Sequence, residues 1–225
     1  MGKKTYVLVG ASSEISIQFI KLCEIKNEDL LLISRITQPQ FQNFNQLLIN
    51  DYLKDKNLIV NKIKELNECI VIFFNGALYE NRPKKYPTLK EIKKTEKINF
   101  EIPYKLTDKF DKECKNIKKY VYISSIAAAK LRYKNYIYGS NKKKLESKIN
   151  EMNLSSFLII RFGKVFTRMS EGHKTPPFSV SPENAAELIF NNLNKEGLVY
   201  PKLGLKVISM VLKITPNFII KFLKI

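Results

Sequence analysis

Short, uninterrupted apolar runs recur along the first two thirds of the chain, separated by amphipathic stretches. They are "TYVLVG" (Thr5–Gly10), "LLLI" (Leu30–Ile33), "CIVIFF" (Cys69–Phe74), "YVYIS" (Tyr120–Ser124) and "SFLII" (Ser156–Ile160). A strand with one face in water alternates apolar and polar residues. These runs do not alternate, so each is expected to be covered on both faces. Gln46–Ile49 adds a weaker strand and Leu198–Tyr200 a short one. Helical patterns fill the intervals at Ser13–Ile25, Leu53–Leu66, Leu89–Phe110, Asn135–Met152 and Pro182–Leu193. The third of these is expected to be interrupted or bent near Pro103. Pro182 follows Ser181 and suits the first helical position. Buried strands alternating with helices specify an α/β fold, a doubly wound parallel sheet of about seven strands with helices on both faces. In that architecture ligands sit beyond the carboxyl ends of the strands, so the residues following each strand carry the functional information.

At 225 residues the chain suits one domain. It is assigned to residues 1–202, with an amphipathic tail of the same domain over 203–225. A hydrophobic content of 44% excludes wholesale disorder. The net charge of +18 would suit a polyanionic partner. The lysines are scattered, however, and no nucleic-acid motif accompanies them, so nucleic acid is not expected as a partner. Cys23, Cys69 and Cys114 are widely spaced and odd in number, which fits a reducing compartment and no metal site. The opening "MGKKTYVLVGASS" enters a strand directly and shows no leader pattern. A cytoplasmic location, or the inner face of a membrane, is expected. His173, the single His, lies in a loop and is given no catalytic role.

The first strand is followed by "GASSEIS". A tight turn here feeds a helix whose free N–H groups can receive a pyrophosphate. Gly10, Ser12, Ser13, Glu14 and Ile15 are the candidate residues; Ser12 or Ser13 would also cap the helix. Glu14 and Ser16 stand where a full dinucleotide fingerprint has its later glycines. Ser34 and Arg35 follow the second strand. A carboxylate there would hold the ribose hydroxyls of NAD; an Arg suits a ribose 2′-phosphate, so NADP is preferred and NAD is the alternative. Asp51 and Tyr52 follow the third strand as candidate adenine contacts. Asn75, Gly76 and Ala77 follow the fourth, where Gly76 allows close backbone approach.

The fifth strand ends at Ser125. Tyr138 lies thirteen residues on, and Lys142 follows it by four. Residues four apart share a helix face, so Tyr138 and Lys142 are expected to project together beside Ser125. Hydride transfer to a carbonyl needs such a set. The Tyr hydroxyl delivers a proton to the oxygen, the Ser orients the carbonyl, and an ammonium lowers the Tyr pKa. A solvated lysine face with a packing tyrosine would show the same spacing. The position of the set, after the strand and on the helix, favours catalysis.

With these elements in order, the chain resembles the short-chain dehydrogenase/reductases over nearly its full length, which implies a Rossmann-type domain. The resemblance implies a catalytic tetrad of Asn99, Ser125, Tyr138 and Lys142, with Asn99 supporting a water-mediated proton relay. Tyr138 and Lys142 would also hold the nicotinamide ribose. The segment "RFGKVFTRMS" after the sixth strand is similar to the family's, with Phe-Gly in place of Pro-Gly. It implies cofactor contacts at Gly163 and Val165, and at Thr167 to the nicotinamide carboxamide. "GASSEIS", "TRMS", "KTPPFSVSPENAA" and "ISMVLKITPNFIIKFL" resemble a subgroup, the decaprenylphosphoryl-keto-pentose reductases. That likeness implies NADPH-dependent reduction of a keto-sugar, lipid-linked or nucleotide-linked, in envelope polysaccharide synthesis. The resemblance to the short-chain dehydrogenase/reductases also implies a homo-oligomer. Two alternatives stay open: an NAD-dependent nucleotide-sugar epimerase or dehydratase, and a non-catalytic NADP-binding sensor or scaffold.

The tail is apolar but punctuated by Lys206, Lys213, Lys221 and Lys224. Its apolar runs are too short to span a bilayer. It is expected to lie on a membrane surface, the other reading being that it folds back over the crevice or a partner subunit.

Overall fold

The computed structural model describes residues 4–79, 86–172 and 175–216. Seven strands form one sheet: β1 (Thr5–Val9), β2 (Asp29–Ser34), β3 (Asn45–Leu48), β4 (Cys69–Phe73), β5 (Ile117–Ser125), β6 (Phe157–Phe162) and β7 (Gly197–Val199). Their order is β3-β2-β1-β4-β5-β6-β7, and every pair is parallel. After β1 the chain first builds outward through β2 and β3, then returns to place β4 on the other side of β1. The connections after β1 and β4 therefore leave in opposite directions and open a crevice at the carboxyl ends of those two strands.

Both faces of the sheet are covered, which is why its strands are apolar at successive positions. Val7, Val9, Leu31, Ile33, Val71 and Phe73 pack on one face, and Leu8, Leu32, Ile70 and Ile72 on the other. The first layer is closed by α2 (Lys56–Lys64), α4 (Ile102–Glu113) and α5 (Tyr136–Glu151) through Ile59, Leu106, Phe110 and Leu145. The second is closed by α1 (Glu14–Ile25) and α6 (Pro182–Phe190) through Phe19, Ile20, Ala185 and Ile189. Two further α-helices lie among the described residues, α3 (Leu89–Glu96) and α7 (Leu203–Ile214).

Helix α2 begins later than its apolar pattern suggests. The Asp51 Oδ1 accepts from the N–H groups of Leu53 and Lys54 at 2.9 and 3.2 Å, which holds those residues in a turn. The expected break in the long Leu89–Phe110 segment takes a specific form. A π turn over Lys97–Glu101 joins α3 to α4, and Pro103 falls in the first turn of α4. Four residues before Pro103 is Asn99, whose carbonyl an α-helical partner at 103 could not serve, because proline has no N–H. The three cysteines are free and buried. No described helix is long and apolar enough to cross a membrane.

Candidate active site

The turn after β1 depends on Gly10. Its φ is +89°, and a Cβ there would stand 3.1 Å from both the backbone N and the Nδ2 of Asn75. The N–H groups of Gly10 and Ala11 both donate to the Ile33 carbonyl, at 3.0 and 3.2 Å, tying the turn to β2. Ser13, not Ser12, caps α1, its hydroxyl accepting from the Ser16 N–H at 3.2 Å. Helical geometry leaves the N–H groups of Glu14 and Ile15 without an intrahelical acceptor at this end. Tyr52 supports the turn from below: it is buried, and its hydroxyl reaches toward the Ile33 carbonyl at 3.4 Å. Asp51 is engaged by Lys97 at 2.6 Å, and that ammonium holds its carboxyl below the usual carboxylate range. Ser34 is buried and turns its hydroxyl onto the Ile36 carbonyl, whereas Arg35 projects from the end of β2 into solvent. On the far side of the crevice the Asn75 Oδ1 is buried with no hydrogen-bond partner. Ala77 is clasped by Asn99, which donates to its carbonyl at 2.7 Å and accepts from its N–H at 3.3 Å.

Ser125, Tyr138 and Lys142 converge where β5 meets α5. The close packing of α5 on the Ile126–Ala128 turn requires a glycine, since a Cβ at Gly139 would stand 2.7 Å from the Ala127 carbonyl oxygen. Ser125 caps that turn, accepting from the Ala127 N–H at 3.2 Å, and its hydroxyl lies close enough to the Tyr138 phenol to oppose a rise in its pKa. The Lys142 ammonium is buried, donates to the Ile123 carbonyl at 2.8 Å and lies 5.8 Å from the centre of the Tyr138 ring. Burial pushes the Tyr138 phenol up to about 12, with the Ser125 hydroxyl opposing the rise. It brings Lys142 down to about 8, with the Glu146 carboxylate opposing the fall. Desolvation is the leading influence on the Tyr138 phenol, and the Lys142 ammonium expected to lower it is turned to the Ile123 carbonyl. Asn99 is fully buried in the π turn, its side chain also donating to the Thr95 carbonyl at 3.0 Å.

Two groups in this region are absent from the sequence expectations. Glu146 continues the Tyr138–Lys142 face by one more turn and forms a buried bidentate pair with Arg161 of β6, whose Nε donates at 2.9 Å. The Ser124 hydroxyl donates to the same carboxylate at 2.6 Å, and Arg161 donates to the Tyr200 hydroxyl at 2.7 Å. The i, i+4, i+8 spacing was the available signal for Glu146. The second group is Arg168. Its backbone N–H donates to the Glu14 Oε1 at 2.9 Å and its Nε approaches at 3.4 Å, drawing the segment after β6 over the start of α1. Between them lies a depression of about 300 Å³ lined by Glu14, Lys164, Phe166, Thr167 and Arg168. Thr167 begins the short turn that carries Arg168, and Val165 bridges to Val180. The Met169 methyl lies 3.1 Å from where a Cβ on Gly76 would stand. A Cβ on Gly163 would stand 3.0 Å from the Leu205 side chain of α7. His173 is outside the described residues.

Among known proteins, a short-chain dehydrogenase from Burkholderia cenocepacia, solved in complex with NADP, superposes with a TM-score of 0.76. The match covers 95% of this chain and 98% of that one at 12% identity. The fold is that of the short-chain dehydrogenase/reductases. An alcohol dehydrogenase of that fold from Thermococcus sibiricus, complexed with 5-hydroxy-NADP, has a TM-score of 0.71 at 16% identity, over 88% of this chain and 96% of that one. No protein-family model matches the chain. In sequence, an uncharacterized oxidoreductase of Mycobacterium tuberculosis is 32% identical over 106 residues, 44% of this chain and 43% of that protein. The chain therefore matches less than half the length of that relative.

The Burkholderia cenocepacia protein was solved with NADP, and the residues lining the crevice of this chain would fit a dinucleotide. The Gly10 turn and the α1 N-terminus offer backbone N–H groups. Gly76 adds no side chain of its own to the wall beside β4, where the Met169 methyl lies close, and the unpartnered Asn75 Oδ1 can accept from a ligand N–H or O–H. Arg35 stands exposed at the β2 end, where no carboxylate is present.

Proposed function

We propose that the protein is a short-chain dehydrogenase/reductase that reduces a carbonyl with NADPH. The observation that carries this reading is the convergence of Ser125, Tyr138 and Lys142 at the mouth of a dinucleotide-type crevice. A nicotinamide bound there supplies the hydride to the carbonyl carbon. Tyr138, neutral at physiological pH, hands its proton to the carbonyl oxygen as the alcohol forms. Ser125 holds that oxygen by hydrogen bonding. Lys142 supplies a positive charge that favours the phenolate left on Tyr138 and its reprotonation. Asn99 fixes the strand-end backbone at Ala77 and so shapes the crevice wall. Arg35 selects the 2′-phosphate of NADPH. For the substrate we favour a keto-sugar carried on a lipid phosphate. This rests on the resemblance of "GASSEIS", "TRMS" and the C-terminal segment to reductases of such compounds.

Titration of the purified protein with NADPH and NADH tests the reading. NADPH is expected to bind more tightly. Arg35→Ala should weaken NADPH by about 10- to 100-fold, the worth of a charge-assisted contact, and leave NADH unchanged. Tighter binding of NADH would turn the reading toward the epimerase alternative. Binding of neither would end it.

A further inference from the structure

Helix α7 is held to the domain by one face. Leu205 and Ser209 are both 1% exposed. Leu205 packs against Gly163, and a Cβ on Gly204 would stand 2.1 Å from the Phe178 ring. Ser209 shares a 2.6 Å hydrogen bond with the Tyr200 hydroxyl, which also accepts from Arg161. These contacts fix the rotation of the helix about its axis. That rotation leaves Leu203, Val207, Met210, Val211 and Ile214 outside, 77%, 53%, 55%, 52% and 82% exposed. Their spacing of i, i+4, i+7, i+8 and i+11 gathers them into one stripe about 100° wide. The domain's own core cannot cover this face, because the opposite face already faces the core.

Charge distinguishes what can cover it. Lys206 and Lys213, seven residues apart, line one edge of the stripe and are exposed. No Asp or Glu follows Glu196 in the sequence, while lysines stand at 202, 206, 213, 221 and 224. An apolar stripe bordered by unopposed lysines complements a layer of phosphates over hydrocarbon. At twelve residues α7 can lie in that layer but cannot cross it. Further apolar side chains are exposed in the segment after β6, which meets α7 at Gly204. Phe178, packed on Gly204, is 41% exposed, and Phe166 and Met169 in the segment after β6 are 44% and 42% exposed.

We propose that the protein docks on an anionic lipid bilayer through the outer face of α7. The stripe from Leu203 to Ile214 sits at the acyl boundary, and Lys206 and Lys213 sit among the phosphates. This goes beyond the reductase reading and does not depend on it.

Co-sedimentation of the full chain with vesicles provides the test. One set contains equal parts phosphatidylglycerol and phosphatidylcholine, the other phosphatidylcholine alone. The wild type is expected to pellet with the anionic vesicles at least tenfold more strongly than with the neutral ones. Val207→Glu/Met210→Glu should lower that partitioning by at least about tenfold, since it places carboxylates at the acyl boundary. Lys206→Gln/Lys213→Gln should lower it about fivefold per lysine at low salt. All four side chains are exposed, so the thermal midpoints should match the wild type and exclude misfolding as the cause. Wild-type protein that stays in the supernatant with both vesicles overturns the proposal, as does a stripe variant that pellets like the wild type. A wild-type dimer that ignores vesicles but becomes monomeric in the stripe variant, by light scattering, assigns the face to a second copy and overturns it too. Vesicle binding needs no cofactor, so an NADPH titration of the same samples separates failure of this proposal from failure of the reductase reading.

Discussion

In the proposed reduction Tyr138 gives a proton, so it has to be a neutral phenol, and its surroundings keep it one. Desolvation pushes it up to about 12, so at pH 7 the proton is in place. Lys142 is the group that titrates near physiological conditions, because burial brings it down to about 8. Below that pH it is an ammonium that favours the departing proton's phenolate; above it the charge is lost. The reductive kcat is therefore expected to fall as pH rises through about 8, measured as a steady-state pH profile with saturating cofactor. Tyr138→Phe should lower kcat by about 10²- to 10⁴-fold with NADPH affinity retained. Full activity in that variant would remove Tyr138 from the chemistry. The Tyr–Lys spacing could be read from sequence because it is local: one turn of one helix decides it. The sign of the Tyr138 shift could not, since it depends on how deeply β5 and α5 bury the phenol. The Glu14–Arg168 contact joins residues 154 apart and had no local signal at all.

At the level of elements, the strands were legible because a sheet covered on both faces demands apolar residues at every position. Pro103 announced that the long helix would not run straight, yet it did not show where the irregularity falls. The π turn sits just ahead of it and carries Asn99. The pairing of α5 with β6 was hidden more completely. Glu146 reads as one more charge in the lysine-rich stretch "KKKLESK", and Arg161 as a polar interruption at a strand end. Only the fold brings them into a buried pair, 6% and 7% exposed. Such a pair is costly to break because the survivor is left charged and unpaired. Arg161→Met is therefore expected to destabilise the protein by about 3–5 kcal/mol. Adding Glu146→Leu should restore most of the loss. Urea denaturation of the single and double variants measures this directly. A double variant no more stable than Arg161→Met would show that the two residues act separately.

On the scale of the whole molecule, the crevice and α7 are linked through the segment after β6. Gly163 and the ring of Phe178 meet α7 at Leu205 and Gly204, while Arg168 of the same segment reaches α1 at Glu14. The amphipathic tail was visible in the sequence, but its inner and outer faces were not. Those are set by contacts distant in sequence, Gly204 under the Phe178 ring, Leu205 on Gly163 and Ser209 on the Tyr200 hydroxyl. Gly204 leaves the space that the Phe178 ring fills, since a Cβ there would stand 2.1 Å from that ring. Gly204→Leu is therefore expected to lift α7 from the domain and uncover Leu205. It should also break the Tyr200–Ser209 hydrogen bond and destabilise the fold by about 1–3 kcal/mol. Because the displaced contacts brace Gly163, NADPH affinity should fall as well, although no crevice residue has changed. The exposed-stripe variants provide the contrast, since they should leave both the urea midpoint and NADPH affinity at wild-type values. If Gly204→Leu weakens neither stability nor NADPH binding, α7 is not braced against the segment after β6. The path from the surface helix to the cofactor side of the crevice then does not exist.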